Sequence, residues 1–187
     1  GPAPDFLRIV AVPPEALARQ LKRARPGGVF TSSACDAWQP IERDRRLTRE
    51  CCRLLTEHGF AVHALTKSAL IVRDFDVLRP GLSRVGVTVT TLEPRLARLW
   101  EPHASPVDER WAVLEAAREA GLETSVMFGP LLPFLSDGQE SLNDLMARAA
   151  DAGVGAIWVD AMNARPRVWP AVARLLRREF PDLHDEY

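Results

Sequence analysis

Cysteines, lysines and long apolar runs are all scarce in this 187-residue sequence. Its three cysteines are too few and too unevenly spaced for a disulfide framework, so we expect a cytoplasmic protein in a reducing environment. No apolar run approaches the roughly 20 residues that span a bilayer, which argues against a membrane protein. The net charge of −1 gives no overall attraction to nucleic acid or to an acidic membrane. A hydrophobic fraction of 47% indicates a soluble globular protein.

The only two lysines are Lys22 and Lys67, against 22 arginines. Lys67 follows the apolar run of residues 61–65, which predicts a buried strand that ends at Thr66 and turns at once into a short amphipathic helix. Parallel sheets and barrels place their ligand sites at the carboxyl ends of strands. Lys67 is therefore a candidate site residue, and the alternative is a solvated lysine in a loop.

Helices that end in glycine and continue into an apolar run recur along the chain, at Gly59, Gly121 and Gly153. With two further apolar runs they predict five strands that begin near residues 29, 61, 84, 123 and 155. Helices are predicted over residues 15–25 and 107–120 and between Pro166 and Pro181. No linker divides the chain, so we expect one domain over residues 3–187, with residues 1–2 as the remnant of an expression tag.

Five parallel strands with helices between them fit either a flavodoxin-like open sheet or part of a (β/α) barrel. Polar or rigid residues follow every predicted strand, and only a barrel brings all of these ends to one mouth. We therefore favour an α/β fold with a parallel, partial TIM-like barrel and a single site. The residues concerned are Ser32, Ser33 and Asp36; Thr66 and Lys67; Thr88, Thr90 and Thr91; Gly129, Pro130 and Pro133; and Asp160 and Asn163.

Three segments occur in the order and spacing of one protein family. Residues 35–42 read CDAWQPIE, residues 66–68 read TKS and run on to Asp74 and Asp76, and residues 87–91 read VTVTT and run on to Glu101 and Pro102. Over roughly residues 28–137 the sequence resembles the radical SAM proteins related to spore photoproduct lyase. Ordered segments of this kind are more specific than any one motif.

The resemblance implies a partial (β/α)6 barrel that binds S-adenosylmethionine (SAM) beside a 4Fe-4S cluster. It also implies reductive cleavage of SAM to a 5'-deoxyadenosyl radical that abstracts hydrogen, with a nucleic acid as a candidate substrate in this group. Lys67 matches the lysine expected to pair with the methionine carboxylate, a suitable task for a tethered ammonium. The other positions that match cofactor-binding segments are Thr88, or else Thr90, on a strand; Asp36, Gln39 and Glu42 in the first loop; and Phe128 and Pro130 near the expected adenine.

The sequence departs from this family in its cysteines. The cluster loop, C-x3-C-x2-C, does not occur, so this chain ligates no cluster and is expected to be inactive alone. Because the resemblance begins just after that loop, we expect the loop and the first barrel strand to lie upstream in the parent protein. The hydrogen-donor cysteine of the lyase falls at Ser33, and Cys35 is offset from it, which puts thymine-dimer repair by that route in doubt. The vicinal Cys51 and Cys52 are predicted to be small buried residues within a helix.

Two other functions remain open from the sequence. One is a cluster-free barrel that binds a nucleotide or a protein partner without redox chemistry. The other is a hydrolase or aldolase that uses Lys67 as an amine nucleophile, although no paired acid or base accompanies the lysine. The substrate, the oligomeric state and the electron donor are not indicated by these residues.

Overall fold

A computed structural model describes residues 14–31, 35–163, 165–166 and 168–187. Residues 1–2, Ser32 and Ser33, to which the sequence assigned a tag remnant and polar strand-end groups, lie outside this part of the chain. The described residues form five parallel strands, and the sheet order equals the chain order. The strands are β1 (Gly28–Thr31), β2 (Ala61–Thr66), β3 (Arg84–Val89), β4 (Glu123–Leu131) and β5 (Ala156–Ala161).

Helices lie between successive strands and after the last one, as a βα repeat requires, and one further helix precedes β1. The α-helices are α1 (Pro14–Leu21), α2 (Glu42–Arg45), α3 (Leu47–Glu57), α4 (Pro94–Trp100), α5 (Val107–Glu119), α6 (Gln139–Asp151) and α7 (Trp169–Glu179). Two 3₁₀ helices cover Ala69–Val77 and Pro181–Leu183. No helix of the described residues has the length and apolar character needed to cross a membrane.

The strand starts agree with those expected from the sequence, because the glycines end the helices as predicted. After α3, Gly59 adopts a φ of 81°, and its amide donates to the Thr56 carbonyl at 3.1 Å, while the Phe60 amide donates to that of Leu55 at 3.0 Å. This pair of bonds is the Schellman cap, which favours glycine at the left-handed position. The ends of α5 and α6 carry the same two bonds.

Four elements differ from the sequence prediction. Helix α1 ends at Leu21 rather than Arg25, because the next residues form a turn in which the Arg23 amide donates to the Gln20 carbonyl. The segment after Lys67 is a 3₁₀ helix of nine residues, and α4 was not predicted. The apolar run of residues 122–128 predicts a strand that ends at Phe128, but β4 continues to Leu131, through the cis peptide between Gly129 and Pro130.

The two faces of the sheet have different surroundings. On one face, Val62, Val87 and Val126 are buried against α3 and α5, whose contributions include Leu55 and Trp111. Because side chains alternate along a strand, the other face carries the residues between them. That second face includes Leu65, Thr88, Met127 and Trp158, and Trp158 is exposed.

Replacing Gly86 with alanine is expected to lower the free energy of unfolding by about 1–3 kcal/mol. A Cβ at this position in β3 would lie 2.6 Å from Ser125 Oγ, 3.1 Å from Leu65 Cδ1 and 3.2 Å from the Ala64 carbonyl oxygen. The serine can rotate, but the backbone carbonyl cannot move without shifting β2. Urea unfolding of Gly86→Ala measures the effect. Gly27→Ala is the matched control, because nothing lies within 4 Å of its added Cβ, and equal stabilities of the two variants would contradict the prediction.

Candidate functional site

An open cleft with a volume of about 290 Å³ lies at the carboxyl ends of the strands. Side chains that follow β1 and β2 meet there with side chains at the carboxyl ends of β2, β3, β4 and β5, which is the convergence expected of a barrel mouth. The polar lining residues are Cys35, Asp36, Thr66, Lys67, Thr88 and Asp160. The remaining wall consists of Leu65, Met127, Gly129 and Pro130.

Lys67 is held at three of its atoms. Its amide donates to Asp36 Oδ2 at 2.7 Å, and its carbonyl oxygen accepts from the Ser105 amide at 2.9 Å. Its ammonium lies 2.6 Å from Glu101 Oε1, and 33% of its side chain remains exposed. An ammonium has three N–H groups, and among the described residues its ion-pair partner is Glu101 alone, so donors remain for a ligand in the cleft.

Asp36 fixes the turn that presents this lysine. Its Oδ1 accepts from the Trp38 amide at 2.9 Å and from the Thr66 hydroxyl at 2.7 Å, and its Oδ2 accepts from Lys67. The Thr66 hydroxyl in turn accepts from the Ser68 amide at 3.0 Å. The carboxylate thus joins the loop after β1 to the end of β2, and its oxygens are occupied by protein groups.

Glu101 is a buried carboxylate behind Lys67. Besides Lys67 it accepts from the Thr90 hydroxyl, 2.7 Å from Oε1, and from Arg110, 2.6 Å from Oε2. Only 5% of the Glu101 side chain is exposed. Burial alone would raise the pKa of the Glu101 carboxyl, but the charges of Lys67 and Arg110 outweigh it, and the pKa lies below its ordinary value.

Arg110 anchors Glu101 to the backbone. It lies on α5 and is almost completely buried, with 2% of its side chain exposed. Its guanidinium donates to the Thr88 carbonyl oxygen at 2.9 Å and to that of Ser105 at 2.8 Å, as well as to Glu101. Arg110 therefore links β3, the loop before α5 and the acidic partner of Lys67.

The structure gathers some of the residues predicted from the sequence and separates others. Lys67, Asp36, Thr88 and Pro130 line the cleft. Thr90 does not line it, because it is 1% exposed and its hydroxyl lies against Glu101 and, at 3.1 Å, the Gly129 carbonyl oxygen.

The remaining three predicted residues lie outside the cleft lining. Phe128 is part of the hydrophobic core. Glu42 is buried, and its Oε2 accepts from the Thr48 amide at 3.0 Å in the first turn of α3. The Gln39 carbonyl accepts from the Glu42 amide. A cofactor contact for these residues stays a prediction.

Sequence reasoning assigned no role to Glu101 or Arg110. Glu101 was noted only as part of a motif. Arg110 carries a signal, because it lies three residues after Val107 and four before Leu114, on the buried face of α5. A charge on such a face usually has a buried partner.

The cysteines do not form a ligand set. Cys35 lies at the cleft, whereas Cys51 and Cys52 lie on α3, and burial raises the pKa of the Cys52 thiol to about 12. In the part of the chain that the structure describes, no group of three or more His, Cys, Asp or Glu side chains could hold a metal ion. Cys52 packs in the core as predicted, whereas Cys51, predicted to be buried too, is only partly buried because it lies on another side of α3.

A family model described as the Radical SAM superfamily matches residues 4–146. The chain belongs to the radical SAM superfamily. This match covers β1 to β4 and the cleft residues that they carry, and it confirms the family expected from the motifs.

Curated relatives of this radical SAM chain are longer than it is. An uncharacterised protein of Mycobacterium tuberculosis is 29% identical over all of this chain and 58% of its own length. An uncharacterised protein of Methanocaldococcus jannaschii is 32% identical over 59% of this chain and 43% of its own length. The chain thus spans about half the length of these two relatives.

Solved radical SAM structures share the fold at low sequence identity. Spore photoproduct lyase with a dinucleoside spore photoproduct has a TM-score of 0.65 and 13% identity, over 90% of this chain and 50% of the lyase chain. Streptococcus suis SuiB bound to SAM has a TM-score of 0.59 and 12% identity, over 95% and 40%. Together with the sequential strand order, this likeness confirms the parallel partial barrel.

Proposed function

We propose that this chain is the SAM-binding part of a radical SAM enzyme, with Lys67 as the residue that pairs with the methionine carboxylate. The observation that carries the proposal is an ammonium fixed at the mouth of the strands with donors left for a ligand. A charge-assisted hydrogen bond between ammonium and carboxylate is among the stronger polar contacts in proteins. Family membership supports SAM as the ligand.

The cleft offers further contacts for the same ligand. Thr88 lines the same cleft as Lys67 and carries a hydroxyl, while Met127 and Pro130 supply an apolar wall suited to an adenine ring. Asp36 supports the site indirectly, because it holds the Lys67 backbone. In the superfamily, a reduced 4Fe-4S cluster supplies the electron that cleaves SAM to the 5'-deoxyadenosyl radical.

The described residues do not fit such a cluster, because their cysteines are not gathered at the cleft. We therefore assign SAM binding to this chain, and we assign the thiolates that bind the cluster to another part of the parent enzyme. That enzyme would abstract hydrogen in the cytoplasm, and a nucleic-acid substrate is supported by the lyase structures that contain a dinucleoside spore photoproduct.

Replacing Lys67 with methionine is expected to weaken SAM binding by roughly 10- to 100-fold, since a hydrogen bond between charged groups contributes about 1.5–3 kcal/mol. Methionine keeps an unbranched side chain of similar length and removes the charge. Isothermal titration calorimetry with SAM measures the effect.

Lys22→Met is the matched control, because it removes the only other lysine, which is exposed and is not among the residues that line the cleft. We expect Lys22→Met to bind SAM as the wild type does. Equal affinities for wild type and Lys67→Met would refute the assignment of Lys67.

The redox part of the proposal has a separate test on the complete gene product. Anaerobic treatment with iron and sulfide is expected to give the broad visible absorption of an iron-sulfur centre. A complete protein that binds SAM but takes up no iron would favour the cluster-free binding module instead.

A further inference from the structure

The Glu101 side chain contacts two cations, Lys67 and Arg110, and only Lys67 is assigned to SAM binding. Lys67 reaches the cleft, whereas Arg110 lies behind its wall and is buried. Each nitrogen lies 2.6 Å from a different oxygen of the same carboxylate. Two cations and one carboxylate give this group, which we call the Lys67–Glu101–Arg110 triad, a net charge of +1.

We infer that Glu101 is a specificity-determining residue, which limits the positive charge facing the cleft so that the site prefers a ligand group with one negative charge to a phosphate with two. This inference rests on the proposed function, because it concerns the charge of the ligand that Lys67 receives. Nothing in it requires Glu101 to touch the ligand.

The burial of the triad makes the charge of Arg110 relevant to the cleft. The guanidinium donates to the carbonyl oxygen of Thr88, and Thr88 lines the cleft. Solvent has little access to Arg110, so water screens its charge poorly. Without Glu101, the field of this guanidinium would add to that of the Lys67 ammonium.

The position of Glu101 is fixed independently of any ligand. Arg110, which contacts Glu101 Oε2, donates to two backbone carbonyls. The Thr90 hydroxyl donates to Glu101 Oε1, the oxygen that also contacts Lys67. The carboxylate therefore cannot swing away from Lys67 when a ligand arrives. It neutralises one positive charge in the bound state as well as in the free state.

The test compares two adenosine ligands whose anionic groups differ in charge. SAM carries one carboxylate together with an ammonium and a sulfonium, and AMP carries a phosphate with nearly two negative charges at pH 8. The ratio of their dissociation constants, measured by isothermal titration calorimetry, is the readout. In Glu101→Gln this ratio is expected to move toward AMP on the order of 10-fold, because the triad then has a net charge of +2.

A matched control and a charge-restoring variant separate this effect from a loss of structure. Glu123→Gln changes the net charge of the protein equally but lies in an exposed pair with Arg84, and it should leave the ratio unchanged. The double variant Glu101→Gln/Arg110→Gln returns the site to +1 and should recover the wild-type ratio. This variant also leaves no unpaired buried charge, so it remains informative if Glu101→Gln alone does not fold.

The outcomes distinguish this inference from the proposed function. If wild type does not bind SAM, or if Lys67→Met binds it equally well, the proposed function fails. If wild type prefers SAM through Lys67 but Glu101→Gln keeps the wild-type ratio, the inference alone is overturned. A double variant whose ratio shifts toward AMP would overturn it too, because its charge is that of the wild type.

Discussion

Asp74→Ala is expected to lower the free energy of unfolding by about 3–5 kcal/mol, the usual cost of removing one partner from a buried ion pair. The Asp74 side chain is 0% exposed. Its Oδ2 accepts from Trp38 Nε1 at 2.9 Å, and its Oδ1 accepts from Arg73 at 2.7 Å and from Arg49 at 3.3 Å. Alanine would leave a buried indole N–H and two guanidinium groups without this acceptor. Equilibrium unfolding in urea measures the loss.

Asp76→Ala is the matched control for this prediction. Asp76 pairs with the same Arg49, at 2.6 Å, but its side chain is 62% exposed. Water replaces such a contact readily, so a change below about 1 kcal/mol is expected. A similar loss in both variants would show that the burial of Asp74 does not decide its contribution.

Arg110→Met is expected to destabilise the protein by about 3–5 kcal/mol as well. It removes the buried cation that faces Glu101 Oε2, and with it the donors to the carbonyl oxygens of Thr88 and Ser105. Glu101 would keep only Lys67 and Thr90 as partners. Thermal unfolding and urea titration, each with the midpoint and slope compared with wild type, measure the change.

Arg84→Met serves as the control, because it removes an exposed arginine from an ion pair. Arg84 pairs with Glu123 at 2.7 Å, but the two side chains are 32% and 51% exposed, so its loss should cost less than about 1 kcal/mol. The double variant Glu101→Gln/Arg110→Met should be more stable than Arg110→Met alone, because it leaves no unpaired carboxylate. A double variant that is less stable than Arg110→Met would contradict the buried-charge explanation.

The strands were predictable from the sequence because local signals define them. Glycine caps end the helices, and each apolar run that follows is long enough to form a buried strand. Strand β4 was predicted too short, because a proline within a central strand normally argues against strand structure. Helix α4 was missed because seven residues are too few for a clear apolar period.

Only part of the cleft was predictable from the sequence, because some of its residues are brought together by the fold alone. Lys67 and Thr88 follow from strand ends, which periodicity locates. The partners Glu101 and Arg110 lie in the loop after α4 and on α5, and no local pattern pairs either of them with Lys67. Asp36 was recognised as a polar loop residue, but only the coordinates show that its oxygens bind the Thr66–Lys67 turn.

The agreement between strand order and chain order has a consequence for biosynthesis. A ribosome releases the amino-terminal part first, so β1 and β2 can pair before the rest of the sheet exists. Lys67 then emerges well before Glu101 and Arg110, and Pro130 and Asp160 follow later still. The lining of the cleft is therefore complete only after the fifth strand has docked, which makes formation of the cleft a late event in co-translational folding.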